Sequence, residues 1–460
     1  MGTYNVRDMG AKADGVSNDG PVLQKAIDRC SENGGGRVEV PSGRYLCGTI
    51  TLKSGVELYL SAGAVLLCSL EKEHIVQTEA PDGADEDCGY FLGAFHCRDI
   101  AITGQGIIDG QGSRIMKDDG ADGGFHECPV ITTGFRPRLT FFEDVENMRI
   151  EGVTFRDSSH WTLHMAGCRL VRIQGIHILN NVRGANNDGI DPDCCRDVLI
   201  SDCVIRTGDD AIVVKTTEPM TKLYGPCENI IIRGCILHSH DSALKVGTET
   251  HGDIRNILMS DCLIEDCSRA VGIWVRDGGC LENIRVHHLT GAVRRYADAP
   301  GRSFAPGWWG KGEPVFISNT WRNEDGRKAG RPTGVIRNVS FENIAIKAES
   351  CIFLGAEEDC AVEQIRLNNI EIEMIQQGTQ PGGLFDEQPS IRNLYEHSIP
   401  ALYARGLRDL TVKDFRVRWS GQKQPWWGHL AELENCPDAV LEEIKGTAAK
   451  DGMEAVVRRP

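Results

Sequence analysis

A phrase of two short strands, each with apolar residues at alternate positions, returns many times along this chain, and such a repeat constrains the fold more than any single motif. It reads Asn147-Met-Arg-Ile-Glu-Gly-Val-Thr-Phe155, then Asp197-Val-Leu-Ile-Ser-Asp-Cys-Val-Ile205, then Asn229-Ile-Ile-Ile-Arg-Gly-Cys-Ile-Leu237. Further copies begin at Asn256, Asn283, Asn338, Gln364 and Asp409, with successive starts mostly 22 to 32 residues apart. A polar Asn, Asp or Gly corner joins the two strands of a copy. Neither strand can bury its apolar face alone, so the copies must stack as coils. The period lacks a helix and a Leu-x-x-Leu-x-Leu phrase, which argues against a leucine-rich solenoid. The expected fold is all-β, a single-stranded right-handed parallel β-helix.

A solenoid lengthens without dividing, so 460 residues are read as one domain, 1–460, with 1–50 as its N-terminal cap region. Pro21 to Cys30 predicts a short amphipathic helix with Val22, Ala26, Ile27 and Cys30 on one face, ended by Gly34-Gly35-Gly36. Such a helix suits the role of capping the open end of a β-helix, where backbone groups are otherwise unpaired. The stretch from about 296 to 330 breaks the period and is rich in Gly, Pro, Arg and Trp, which predicts an inserted loop facing the substrate.

Parallel coils align equivalent side chains, so Cys203, Cys235 and Cys262 are expected in one column, as small apolar residues. That accounts for the 18 cysteines without disulfides. No Cys-x-x-Cys pair occurs, and Cys194-Cys195 lacks the spaced partners of a zinc site, so neither a structural metal nor a cofactor is expected. A formal net charge of −16 disfavours nucleic acid and anionic membrane as partners. The opening Met1-Gly2-Thr3-Tyr4-Asn5-Val6 has neither a basic nor an apolar leader region, which reads as a cytoplasmic chain. The oligomeric state is not legible.

Two acidic phrases interrupt consecutive coils: Asn186-Asn187-Asp188-Gly189 and Gly208-Asp209-Asp210-Ala211. Asp188 and Asp209 are 21 residues apart, close to one coil, which predicts both on one wall at adjacent heights. Like charges held together on a rigid surface repel, and one is then driven to keep a proton. An inverting glycosidase needs this division of labour, one carboxyl protonated for the leaving oxygen and others ionised to activate a water, about 6.5 to 9.5 Å apart. One such phrase alone is ordinary turn chemistry; two in succession, each leading into apolar strand residues, point to a site.

These residues resemble the polygalacturonases and their relatives in family 28 of the glycoside hydrolases, over about Tyr4 to Trp419. Gly10-Ala-Lys-Ala-Asp-Gly-Val-Ser-Asn-Asp19 is similar to that family's start, and Arg136-Pro-Arg138 with His160-Trp-Thr-Leu-His164 is similar to its exo-acting branches. Asn186-Asn187-Asp188 matches the family's Asn-Thr-Asp phrase, and Gly208-Asp209-Asp210 its Gly-Asp-Asp phrase. The resemblance implies Asp209 as general acid, with Asp188 and Asp210 holding and deprotonating the water. It also implies an acidic pectic oligosaccharide as substrate.

Two family phrases are altered. The Gly-His-Gly phrase falls on His240-Asp241-Ser242-Ala243-Leu244-Lys245-Val246-Gly247-Thr248-Glu249, and the offset of 32 between Cys203 and Cys235 stacks Asp210 on Ser242 and leaves His240 beside Gly208. The Arg-Ile-Lys phrase is replaced by Ile273-Trp274-Val275-Arg276-Asp277, so the basic pair that grips a carboxylate is incomplete. Lys245, Arg276 and Lys215 are the basic candidates near the aspartates, with Asn186, His240, Asp241 and Glu249 as further binding candidates. Trp308 and Trp309, followed by Lys311, are candidates for stacking on a sugar ring.

The leading expectation is an exo-acting inverting hydrolase of α-linked galacturonic-acid oligosaccharides. A second keeps the chemistry and changes the substrate to rhamnogalacturonan or xylogalacturonan, as the incomplete basic pair favours. Two readings from other classes are a polysaccharide lyase, which needs calcium and a basic residue as base, and a non-catalytic carbohydrate-binding β-helix.

Overall fold

The residue that opens each repeat carries the turn. Asn147, Asp197, Asn229, Asn256, Asn283, Asn338, Gln364 and Asp409 all hold left-handed backbone, with φ between 49° and 61°. Asn and Asp adopt that region at least steric cost after Gly, which is why they recur there. Their amides also link coil to coil, Asn229 donating to Asp197 at 2.9 Å and Asn338 to Asn283 at 2.6 Å. Each corner thus closes a bend and ties it to its neighbour.

The computed structural model describes residues 2–78, 88–117, 131–132, 135–296, 310–330, 333–378 and 381–460. Apart from Val76–Thr78, which runs antiparallel to Cys88–Gly104, the strands of its large sheet pair in parallel as the coils of a right-handed parallel β-helix. The chain divides into two compact units, one of 1–120, 130–209 and 217–235, the other of 121–129, 210–216 and 236–460.

In the first unit, one ladder runs through Gly36–Val40, Val56–Leu60, Cys88–Gly104, Arg138–Glu151, Arg169–Gln174, Arg196–Ser201 and Cys227–Arg233. A second runs from Gly43–Cys47 through Ala64–Cys68, Ile107–Asp109 and Thr154–Arg156 to His177–Leu179 and Val204–Thr207. Alternate residues point inward, so Val171, Val198 and Ile230 stack at successive levels and are buried. Ser201 pairs with Arg233, which puts Cys203 level with Cys235 as the repeat predicts. The adjoining Cys235 thiol and burial both push the Cys203 thiol up, away from reactivity. The sixteen cysteines whose side chains are described are free thiols and most are buried, as expected of core residues.

The predicted helix spans Gly20–Glu32 in this unit. Its buried face is Leu23, Ala26, Ile27 and Cys30; Leu23 takes the place expected for Val22, which is only partly covered. A one-position rotation suffices, because Ala26, Ile27 and Cys30 follow Leu23 at helical spacing of three, four and seven.

In the second unit, one ladder stacks Ile254–Cys267, Cys280–Val293, Val335–Ala348, Ala361–Ile375 and Arg408–Ser420. The other stacks Ile212–Thr216, Ser242–Thr250, Arg269–Val275, Glu313–Asn319, Ile352–Ala356, Leu402–Arg405, Ala431–Glu434 and Val456–Arg459. The strand Glu313–Asn319 corrects the expectation of a continuous inserted loop over 296–330, since all seven of its residues are buried between two neighbours. Its Val315, Phe316 and Ile317 fill the core, but no corner phrase flags it in the sequence. A second departure from the coils, an antiparallel pair of Leu384–Asp386 with Leu394–Glu396, was not anticipated. No helix among the described residues is long and apolar enough to cross a membrane.

Candidate active site

Within the first unit, two asparagines organise the acidic loop. Asn180 Nδ2 donates to Thr162 Oγ1 and to the Asn187 carbonyl, both at 2.8 Å, while its Oδ1 accepts the Ser158 N–H at 3.0 Å. Asn187, fully buried, donates to the Asn181 carbonyl at 2.7 Å, and its Oδ1 accepts the N–H groups of Gly208 at 2.8 Å and Asp209 at 3.2 Å. A buried amide with all these partners is fixed in place, and it fixes the main chain at Asp209. Gly208 is required by close approach: a Cβ there would lie 2.3 Å from the Gly184 carbonyl oxygen.

Asp188 and Asp209 therefore emerge from a rigid wall, 3% and 5% exposed, with carboxylate oxygens within 4.8 Å of each other. They lie together, as the 21-residue spacing predicts. The Asn186 N–H donates to Asp209 Oδ2 at 3.0 Å, and Arg136 reaches the Ala185 carbonyl at 3.2 Å and Asn186 Oδ1 at 3.4 Å. Asn186 is thus a clasp on Asp209 through its main chain. Two carboxylates this close favour a shared proton.

The Arg136-Pro-Arg138 and His160-Trp-Thr-Leu-His164 phrases pack in the same unit. The His160 Nδ1 accepts the Trp161 N–H at 2.8 Å, which leaves Nε2 as its remaining proton site. His164, fully buried, stacks on Phe141 at 5.0 Å and stands 3.5 Å from Asp193, whose carboxylate is held by the Thr217 N–H and hydroxyl at 2.9 and 2.6 Å. The Arg138 guanidinium lies over Phe141 and Trp161 at 5.3 and 5.5 Å.

Asp210, the next residue after Asp209, belongs to the second unit. Its Oδ1 accepts the Ser242 N–H at 3.3 Å and its Oδ2 the Lys245 ammonium at 2.6 Å. The 32-residue offset is the observed register, Val213 pairing with Lys245. Lys245 also stands 3.5 Å from Asp241 and 4.9 Å above Trp274. Asp241 in turn accepts from Arg269 at 2.6 Å, and Arg269 sits between Trp274 and Phe316 and 3.6 Å from Glu313. Charges of alternating sign, Asp210, Lys245, Asp241, Arg269 and Glu313, thus run through buried space. Burial alone would lower the Arg269 pKa, but Glu313 and Asp241 hold it above its usual value; burial raises that of Glu313 despite Arg269 and Lys311.

Several sequence candidates find other roles. Arg276 is corrected from a substrate contact to a structural clamp: its five donors go to the carbonyls of Pro389, Val275, Ser318 and Glu387 and to Ser318 Oγ, at 2.7 to 3.0 Å. Burial in that cage pulls its pKa down to about 9. Lys311 is buried too, 3.0 Å from Asp386, with its N–H on Glu313 at 2.6 Å. Lys215 is buried on the strand Ile212–Thr216. His240 is buried and stacked on Tyr296 at 3.8 Å. Trp308 and Trp309 lie outside the described residues.

Arg269 and Arg322 are the groups that sequence reasoning missed. Arg322, one third exposed, grips Asp277 with two hydrogen bonds of 2.8 and 2.6 Å and stands 3.7 Å from Glu249. Burial would raise the Asp277 pKa, but Arg322 more than offsets it and holds that carboxyl below its usual range. The signal for Arg322 was its position inside the stretch already marked as irregular.

A probable polygalacturonase of Vitis vinifera is 31% identical over 306 residues, 63% of this chain and 61% of that protein. The exo-poly-α-D-galacturonosidase of Dickeya chrysanthemi is 27% identical over 307 residues, 56% of this chain and 50% of its own length. The chain thus spans less than two thirds of these relatives. The solved structure of a family 28 exopolygalacturonase from Yersinia enterocolitica superposes with a TM-score of 0.71 at 18% identity, covering 96% of this chain and 77% of that one, which supports the fold. The family model for glycosyl hydrolases family 28 matches residues 30–290, a span that contains Asp188, Asp209 and Asp210, and this chain belongs to that family.

Proposed function

We propose that the chain hydrolyses the α-linked galacturonic-acid units of short pectic oligosaccharides from a chain end, with inversion at the anomeric carbon. Asp209 acts as general acid, and Asp188 with Asp210 holds and deprotonates the attacking water. The observation that carries this reading is the Asp188 and Asp209 pair, within 4.8 Å on a wall locked by Asn187. One member of such a pair retains a proton for the leaving oxygen. The Lys245 ammonium at 2.6 Å from Asp210 favours the ionised form that a base requires. The relative from Dickeya chrysanthemi supports an exo mode.

Carboxyl groups about 6.5 to 9.5 Å apart suit inversion, and groups about 5 to 5.5 Å apart suit retention. Product stereochemistry on trigalacturonate, followed by proton NMR in the first minutes, separates the two. An inverted β-anomer supports the reading, and a retained α-anomer overturns inversion and makes a carboxylate the nucleophile.

A second reading keeps these aspartates on rhamnogalacturonan or another branched pectic chain. It is favoured by Arg276, whose donors are all engaged within the protein and so leave no basic grip of the expected kind.

A further inference from the structure

We propose that Asp261, His287 and His288 form a surface site for a borderline divalent cation of the zinc type. Their ligand atoms, a carboxylate oxygen and two imidazole nitrogens, lie within 4.8 Å of one another. The two Nδ1 atoms are 2.8 Å apart.

Adjacent residues of an extended strand project to opposite faces. His288 escapes that rule because it occupies a corner, with φ +56°, so its ring turns back toward His287. Asp261 occupies the same corner one coil earlier, since Ser260 pairs with His287 and Cys262 with Leu289. The following coils carry Asn343 and Asn369 at that level, joined by an amide hydrogen bond of 2.7 Å. A histidine therefore stands where this column otherwise uses Asn or Asp, the usual residues for left-handed backbone.

One Nδ1–H can donate to the other Nδ1 across those 2.8 Å, so a single positive centre between the rings joins them. A proton serves, and so does a metal ion. Zinc bound to imidazole at about 2.0 to 2.1 Å in tetrahedral geometry separates two ligand nitrogens by about 3.3 Å, so the pair must open by only about half an ångström. The Asp261 carboxylate supplies a third ligand and water a fourth. The Asn343 Nδ2 stands 3.2 Å from His288 Nε2, so this amide must turn, giving up the Asn369 hydrogen bond at its oxygen, to accept from Nε2–H once Nδ1 binds the ion. The ligands come from consecutive residues and a neighbouring coil, a spacing that no linear zinc motif describes. A bound ion would staple two coils together.

The test is calorimetric titration of zinc chloride into the chelator-stripped chain, for wild type, His288→Asn and His287→Ala, with thermal midpoints alongside. Asn suits the corner backbone, and Asn343 already occupies its equivalent. The wild type should bind one zinc per chain, with affinity at least about tenfold weaker in either variant, because losing a direct ligand costs no less than losing an outer partner. Zinc should raise the thermal midpoint of the wild type and not of His288→Asn, while the two match in chelator. Equal affinity in wild type and variants, or no one-to-one binding by wild type, overturns the proposal. Should His288→Asn fail to fold, the His287→Ala titration decides alone.

Discussion

The Oδ1 of Asn187 accepts the main-chain N–H of Asp209 at 3.2 Å, so a buried amide holds the backbone from which the acid projects. Asn187 also takes the Gly208 N–H, at 2.8 Å. Replacing it with alanine frees both donors and lets Asp209 drift. A displacement near 1 Å in a reacting group costs about a hundredfold in rate. Asn187→Ala should therefore lower kcat by about a hundredfold with a smaller change in KM. Steady-state kinetics on oligogalacturonate checks this, and an unchanged kcat would show that Asn187 serves only the fold.

Arg276 should behave as a pillar of the fold. Arg276→Ala strands the buried carbonyls of Ser318 and Glu387, and each unsatisfied acceptor costs about 1 to 3 kcal/mol. A loss of at least about 2 kcal/mol follows, read as a drop in thermal midpoint. Arg276→Lys should recover little, because an ammonium cannot reach several carbonyls in a planar fork. A raised KM with an unchanged midpoint would return Arg276 to the substrate.

Asp277 should make stability depend on acidity in one direction. Its carboxyl sits below the ordinary carboxylate range because Arg322 overcomes the effect of burial. A lowered folded pKa adds stability above the unfolded value of about 3.9, and that stability fades as pH falls through the folded value. Asp277→Asn should thus be less stable than wild type near neutrality, with the gap narrowing below about pH 4. Thermal midpoints across pH measure it, and a gap that is constant with pH would contradict the role of the ion pair.

The repeat was legible because its physical cause is local. Asn147, Asp197, Asn256 and Asn338 are both the letters that mark each copy and the residues that hold left-handed backbone. The 32-residue offset likewise aligned Asp210 with Ser242, as observed. Long-range packing was not legible. Whether Arg276 faces a substrate or a cage depends on Pro389 and Glu387, more than a hundred residues away. Likewise, nothing local in Glu313–Asn319 separates a buried strand from a loop, because its neighbours Arg269–Val275 and Ile352–Ala356 supply the burial. The carboxylate pair was placed correctly on one wall, yet the hold on the Asp209 main chain comes from Asn187, whose role as a bracket no spacing argument reveals.

The most direct test of the account is turnover of trigalacturonate by Asp209→Asn against wild type, with substrate binding measured in parallel. An amide of the same shape keeps the main-chain bonds but carries no proton for the leaving oxygen. Loss of general-acid catalysis is worth about a hundredfold to ten-thousandfold, so the account predicts a fall of that size with binding retained. Undiminished turnover by Asp209→Asn, or an unsaturated product of elimination from the wild type, would contradict it.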